Sequence, residues 1–213
     1  MSPTLIVLAK EPLPGQVKTR LCPPCRPEDA ARLAGAALTD TLTTVRATSA
    51  TDRVLVFAGD PHPWLVPGVR SLPQRGGGLG ERLQAAFDDV GSPALLIGMD
   101  TPQVTRAQLD RALAALAQAD AVIGPTEDGG YWCIGLARPA PGAFAGVPMS
   151  TATTCARQLD RLAALGLTVS IQDRLRDVDT FADAETVAAE TPGSRFGACF
   201  DAVLGALMTG PSR

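Results

Sequence analysis

The stretch LIVLAKEPLPGQVKTRL, residues 5–21, joins an apolar run to a loop dense in prolines and cations. Leu5-Ile6-Val7-Leu8 is continuously apolar, as parallel strands buried on both faces are. Pro12, Pro14 and Gly15 break regular structure, and Lys10, Lys18 and Arg20 bring three positive charges to the break. Two later segments repeat the arrangement. IGMDTP (97–102) follows Ala94-Leu95-Leu96, and GPTEDGGYWCIGL (124–136) follows Ala121-Val122-Ile123. Ligands of an open α/β sheet bind beyond the carboxyl ends of its strands. Three polar loops in that position predict one shared site. Their contents suit a phosphorylated ligand and a divalent metal.

The rest of the chain follows the same alternation. Residues 28–48 read as a helix, with Ala31, Ala34, Leu38, Leu42 and Val45 at helical spacing and Pro27-Glu28-Asp29 suited to its first turn. Strands are predicted over 4–9, 53–58, 94–98, 121–124, 131–137 and 167–171, with a short one at 69–72. GGGLGERLQAAFDDV (76–90) is a glycine loop that opens a helix. Further helices are predicted over 105–118 behind a Thr105 cap, from Ser150 or Thr151 to Leu165 with Gly166 as its stop, over 181–189 and over 196–208. Strands alternating with helices predict an α/β sheet with helices on both faces, and 213 residues fit a single domain over 1–213.

Composition narrows the function. Hydrophobic residues make up 46% and charged residues 19%, and the net charge is -3. Neither a nucleic-acid patch nor a polybasic membrane anchor is indicated. No apolar run approaches the roughly 20 residues that span a bilayer, and MSPTLIVLAKEP lacks the charged start and cleavage site of a signal peptide. A cytoplasmic location is therefore expected. The five cysteines are an odd number. Cys22-Pro23-Pro24-Cys25 is open to three readings: a redox pair, half of a zinc site, or a stiff turn before a helix. Cys133, Cys155, Cys199 and the single His62 stand alone in sequence, which disfavours structural zinc.

Each polar loop has a chemical reading. Backbone N–H groups around Gly15, together with Lys10, Lys18 and Arg20, can cradle a di- or triphosphate. Arginine offers phosphate a bidentate fork and lysine a movable point charge. The loop is no Walker loop, since GxxxxGK[ST] is absent. Asp100 stands at a strand end, and Thr105 is the better cap for the next helix. That leaves Asp100 as a candidate Mg²⁺ ligand, with a second carboxylate from Asp177 or Asp179 in RDVDT (176–180). Asp128-Gly129-Gly130 is a hairpin turn signal, so Asp128 is either structural or part of the site. Tyr131 follows it at the loop edge, where it can line a substrate pocket or belong to a strand. GGGLGERL (76–83) departs from GxGxxG, which rules out a dinucleotide site. It leaves a loop able to close on a base or sugar through Gly78, Gly80 and Arg82.

AKEPLPGQVKTRL, GGGLGERL, IGMDTP, GPTEDGGYWCIGL and RDVDT occur here in the order of a bacterial domain-of-unknown-function family. That family is labelled glycosyltransferase, and some members lie beside arsenosugar biosynthesis genes. The resemblance covers about residues 4–190 and is specific as a set of motifs. It implies the nucleotide-diphospho-sugar transferase superfamily. The fold implied is GT-A-like, a three-layer α/β/α sandwich with a mixed, mostly parallel sheet. The loop after the first strand would meet nucleotide phosphates, and a metal-binding Asp after a central strand would be Asp100. Phospholactate guanylyltransferases share a KTRL-like loop and a later Gly-Gly turn, matched here by Lys18-Thr19-Arg20-Leu21 and Gly129-Gly130. Two departures stand out. Gly98 replaces the first Asp of the Asp-x-Asp metal motif, and the glycine-rich loop of molybdopterin guanylyltransferases is absent after the first strand.

Together these readings predict a metal-assisted transferase of nucleotide sugars to a small-molecule acceptor. Lys10, Gly15, Lys18, Arg20, Gly78, Gly80 and Arg82 would hold the nucleotide. Asp100 and Asp179 would hold Mg²⁺ or Mn²⁺, and Lys18 and Asp100 would serve the chemistry. Asp128 would orient the acceptor or act as its base, and Gly129, Gly130 and Tyr131 would form the acceptor side. The alternative is a guanylyltransferase-like nucleotidyltransferase that joins an NTP to a phosphorylated small molecule with release of pyrophosphate. Three loop cations suit a triphosphate.

Overall fold

The computed structural model describes residues 3–91 and 93–209. Its centre is a seven-stranded sheet built from β1 (Thr4–Lys10), β2 (Arg53–Ala58), β3 (Arg70–Pro73), β4 (Ala94–Ile97), β5 (Ala121–Pro125), β6 (Tyr131–Leu136) and β7 (Val169–Ile171). The spatial order is β3-β2-β1-β4-β6-β5-β7. Only β6 runs antiparallel, pairing with β4 on one side and β5 on the other. The expected mixed, mostly parallel sheet is present. β6 reverses because it leaves β5 through the short Asp128-Gly129-Gly130 turn, whereas parallel neighbours need a crossover.

The described residues form six α-helices: α1 (Pro27–Arg46), α2 (Leu79–Val90), α3 (Arg106–Ala115), α4 (Thr154–Ala164), α5 (Phe181–Glu190) and α6 (Arg195–Thr209). Alternate strand residues point to opposite faces. Leu5, Val7 and Ala9 therefore share one core with Leu55, Phe57, Leu95 and Ile97, under α1 and α3. Ile6 joins Val54, Val56, Leu96 and Ile134 in the other core, under α2 and α4. α1 is buried on two sides. Ala31, Ala34, Leu38, Leu42 and Val45 face the sheet, as their spacing predicts. Ala30, Leu33 and Ala37 form a second stripe, which packs in a third core with Phe196, Phe200 and Val203 of α6 and Val187 of α5. α6 thus lies outside α1 as an extra layer on that face.

Local signals account for most element ends. The Thr105 hydroxyl accepts from the Gln108 N–H and caps α3. Gly166 ends α4 with φ +71, a conformation that favours glycine. α4 itself starts at Thr154 behind Thr153, two to three residues past the expected cap at Ser150 or Thr151, because residues 148–153 form an irregular loop. There Ser150 has φ +58, and the Thr154 hydroxyl donates to the Pro148 carbonyl at 2.9 Å. Cys22-Pro23-Pro24-Cys25 is a turn entering α1, with cis peptide bonds before both prolines. All five cysteines are free thiols. Among the described residues, no helix is long and apolar enough to cross a membrane.

Candidate active site

β1 and β4 are parallel neighbours, with Val7 opposite Ile97. Their carboxyl ends therefore deliver the cationic loop and the Asp100 loop to the same edge of the sheet. The two loops meet directly: Lys18 Nζ lies 2.5 Å from Asp100 Oδ1. The Lys18 side chain is 11% exposed and that of Asp100 45%. Lys18 adopts φ 48 and ψ 39, a left-handed conformation that costs a non-glycine residue about 1–2 kcal/mol. Leu33, Ala34 and Ala37 of α1, with Val178 and Phe196, form an apolar wall behind the pair. Such a wall lowers the local dielectric and strengthens the attraction.

The other two cations of the loop are also engaged. Lys10 Nζ donates to the Gln16 carbonyl at 2.9 Å and closes the loop on itself. Arg20, largely exposed, is ion-paired with Asp179. The sequence-level choice of Asp179 as second metal carboxylate thus falls on a residue whose partner is an arginine. Asp177 occupies a different position. The Val178 N–H donates to the Asp100 carbonyl at 2.8 Å, and the Gln103 side-chain amide donates to the Arg176 carbonyl. These two bonds stitch residues 176–178 to the Asp100 loop. Burial pushes the Asp177 carboxyl up to about 6, and the nearby negative charges of Asp128 and Asp100 add to the effect while Lys18 opposes it. Asp100, Asp128, Asp177 and Lys18 therefore share one electrostatic neighbourhood.

The Asp128 turn is built with little freedom. Asp128 Oδ1 accepts from the Gly130 N–H at 2.9 Å and from the Thr126 hydroxyl, and Thr126 is buried. The turn butts against the start of α4, where the Cys155 N–H donates to the Gly129 carbonyl at 2.8 Å. Asp128 is exposed and serves as a structural turn residue, and its charge acts on Asp177. Tyr131 begins β6. Its ring joins the core under α2 and α4, and its hydroxyl lies 3.4 Å from Gln158 Oε1. Burial raises the Tyr131 phenol well above its usual range.

The glycine loop is held by its own helix. Gly78 is the N-cap of α2, Glu81 Oε2 accepts from the N–H groups of Gly77 and Gly78, and the Arg82 guanidinium donates to the carbonyls of Gly76 and Gly77. Gly80 faces Phe144 and Met149. Arg82 thus braces the loop. One residue escaped notice in the sequence. Gln74, just beyond β3, donates its side-chain amide to the Ala9 carbonyl at 2.6 Å and, more weakly, to that of Val56 at 3.3 Å. It ties the ends of β1, β2 and β3 together beside the glycine loop. A lone Gln carries no pattern that would reveal this.

An open groove of about 570 Å³ lies between Pro12 and Pro14, α1, Trp64 and the start of α6. It shares no lining residue with the Lys18–Asp100 pair. The chemical groups converge at the sheet edge, and the site is assigned there.

Among the described residues, no three His, Cys, Asp or Glu side chains converge tightly enough to form a metal cage. Magnesium does not need one, since it commonly takes one or two carboxylates and completes its shell with water and ligand phosphates. Asp100 and the half-buried Asp177 fit that pattern. Lys18 is in contact with Asp100, and the charges of Lys18, Asp100 and Asp128 all act on Asp177.

The sheet and its helices form an α/β fold of the nucleotide-diphospho-sugar transferase type. The chain belongs to the family described as "Uncharacterized protein conserved in bacteria (DUF2064)", whose model matches residues 36–151. A protein from Desulfovibrio desulfuricans G20, provisionally described as a nucleotide-diphospho-sugar transferase, superposes with a TM-score of 0.86 at 29% identity, covering 98% of each chain. CMP:2-keto-3-deoxy-manno-octonic acid synthetase complexed with CTP shares the fold, with a TM-score of 0.58 at 12% identity over 88% of this chain and 98% of that one. So does Rv0371c of Mycobacterium tuberculosis H37Rv in complex with manganese, with a TM-score of 0.55 at 18% identity over 88% and 98%. No curated protein matches the chain in sequence.

Proposed function

We propose that the protein transfers a glycosyl group from a nucleotide sugar to a small-molecule acceptor with the help of Mg²⁺ or Mn²⁺. The observation that carries this reading is the meeting of Lys18 with Asp100, where the cationic β1 loop faces the carboxylates beyond β4. The likeness to the Desulfovibrio protein supports the same class.

The residues divide by chemistry. Lys18 and Arg20 stand at the mouth of the β1 loop, where the donor diphosphate would lie, and Lys10 with Gly15 shapes that loop. Positive charge placed against the departing nucleoside diphosphate stabilises the charge that develops as the glycosidic bond breaks. Asp100 with Asp177 would hold the divalent cation, which supplies Lewis-acid stabilisation of the diphosphate. Asp177 is proposed as the second carboxylate because it lies in the field of Asp100, with Asp179, which pairs with Arg20, as the alternative. Asp128 keeps Oδ1 in its turn and presents its carboxylate to solvent, in position to orient an acceptor hydroxyl or accept its proton. Gly129 and Gly130 leave room for the acceptor to approach, with Tyr131 beneath them. Gly78, Gly80 and the Arg82-braced loop flank the nucleoside side.

A second reading is nucleotidyl transfer, favoured by the presence of three cations, Lys10, Lys18 and Arg20, on one loop. The same parts would then hold a triphosphate whose α-phosphorus is attacked. A thermal-shift panel separates the two. Ligands that bind only the native state raise its melting temperature. UDP- and GDP-sugars that stabilise with Mn²⁺ support glycosyl transfer. Stabilisation by CTP or GTP without any by nucleotide sugars supports nucleotidyl transfer. Silence from both sets contradicts a nucleotide site.

A further inference from the structure

We propose that, before nucleotide arrives, the Lys18 ammonium is the resident counter-ion of Asp100 and blocks the divalent cation there, so that metal enters only after the phosphates draw Lys18 away. This inference rests on the metal-assisted reading above and adds an order of events to it.

Lys18 and Asp100 are in direct contact, with Nζ 2.5 Å from Oδ1. A carboxylate–Mg²⁺ bond is about 2.0–2.1 Å long. With the ammonium already on Oδ1, a divalent ion on the same carboxylate would stand within a few ångströms of it, and the two repel each other. Lys18 is also held there. Its side chain is nearly buried, it lines a small pocket together with Leu33, Ala34 and Ala37, and the loop before it is closed by the Lys10–Gln16 bond. Of the loop's three cations Lys18 is the one in contact with Asp100, while Arg20 pairs with Asp179 and Lys10 with a carbonyl.

A nucleotide changes the balance. Its phosphates offer Lys18 more negative charge than Asp100 does, and a lysine head can swing on its four-carbon stem. Asp100 is then left without its counter-ion, within the field that it shares with Asp177, and a divalent ion replaces the lost charge. Metal and nucleotide binding are thereby coupled, each strengthening the other by the same factor. The device also disfavours metal occupation of an enzyme that has no donor.

The test is Mn²⁺ binding to the nucleotide-free protein, read from the electron paramagnetic resonance signal of free Mn²⁺. Lys18→Met keeps the length of the stem and removes the charge. Lys18→Asn removes the charge in a residue that tolerates the left-handed backbone, and serves if the Met variant folds poorly. Both are expected to bind Mn²⁺ roughly 5- to 150-fold more tightly than the wild type, the usual span of a coupling between sites. The gain should vanish in Lys18→Met/Asp100→Asn. Equal or weaker Mn²⁺ binding by the folded Lys18 variants overturns the inference, as does a gain that survives the loss of Asp100. If neither wild type nor variants bind Mn²⁺ without nucleotide, the inference also fails. Mn²⁺-dependent thermal stabilisation of the wild type by nucleotides then decides separately whether the metal-assisted reading stands.

Discussion

A β-carbon placed on Gly129 would lie 2.0 Å from the carbonyl oxygen of Ala152. The Asp128 turn and the loop that opens α4 touch backbone to backbone, and only glycine fits between them. Gly129 also has φ +92, which L side chains rarely adopt. The turn that carries Asp128 is therefore fixed by contact from behind as much as by its own hydrogen bonds.

Gly129→Ala is expected to destabilise the protein by about 3–5 kcal/mol, combining backbone strain with overpacking. Gly15→Ala is the control. Gly15 has φ +74 but open space around its α-carbon, so only the left-handed cost of about 1–2 kcal/mol applies. Urea denaturation midpoints compare the two. Equal losses would show that the contact with Ala152 is slack.

Asp177 gives the protein a distinctive pH response in the absence of ligand. Its carboxyl titrates near 6 in the folded state against an ordinary 3.8, so between those values the folded state binds more protons than the unfolded one. Stability from this group is highest at acid pH and falls as pH rises through 6. Carboxylates held low, such as Asp29 by Arg26 and Asp52 by Arg70, give the opposite slope at lower pH, and they cancel in a comparison with a variant. Asp177→Asn should raise stability at pH 7 by about 1 kcal/mol after solvent screening, or roughly 2–4 °C in melting temperature. The gain should fade below about pH 4. A gain independent of pH would trace to packing, and a loss at pH 7 would show that Asp177 is already neutralised.

Arg20 and Asp179 separate structure from binding. Their ion pair is exposed, so Asp179→Asn should change stability by less than about 1 kcal/mol and leave Mn²⁺ affinity within about twofold. Arg20→Ala should weaken nucleotide binding by roughly 10- to 150-fold, the loss of a charge-assisted contact worth about 1.5–3 kcal/mol. Calorimetry with UDP and GDP in the presence of Mn²⁺ reads both. A large loss of metal binding in Asp179→Asn would return that residue to the metal site.

Much of this arrangement was legible along the chain, because it follows from periodicity. The continuous run at Leu5–Leu8, the spacing of Ala31, Ala34, Leu38 and Leu42, and the cap at Thr105 are local patterns with local causes. The meeting of the β1 and β4 loops followed from the rule that strand ends share an edge. The contacts of residues 177–179 did not. They rest on the bond from the Val178 N–H to the Asp100 carbonyl and on the pairing of Arg20 with Asp179, across 78 and 159 residues of chain that no spacing encodes. The second buried stripe of α1 was likewise invisible until α6 supplied its partner.

The account stands most directly on Asp100 as the carboxylate that anchors the metal. A crystal soaked with MnCl₂ and UDP or GDP should show an anomalous peak about 2.0–2.3 Å from an Asp100 oxygen, the range of carboxylate–metal bonds. Asp177 should lie beside it, and Lys18 should have moved from Asp100 to the phosphates. A bound nucleotide whose Mn²⁺ peak lies away from Asp100, with Lys18 still on the carboxylate, would contradict the assignment.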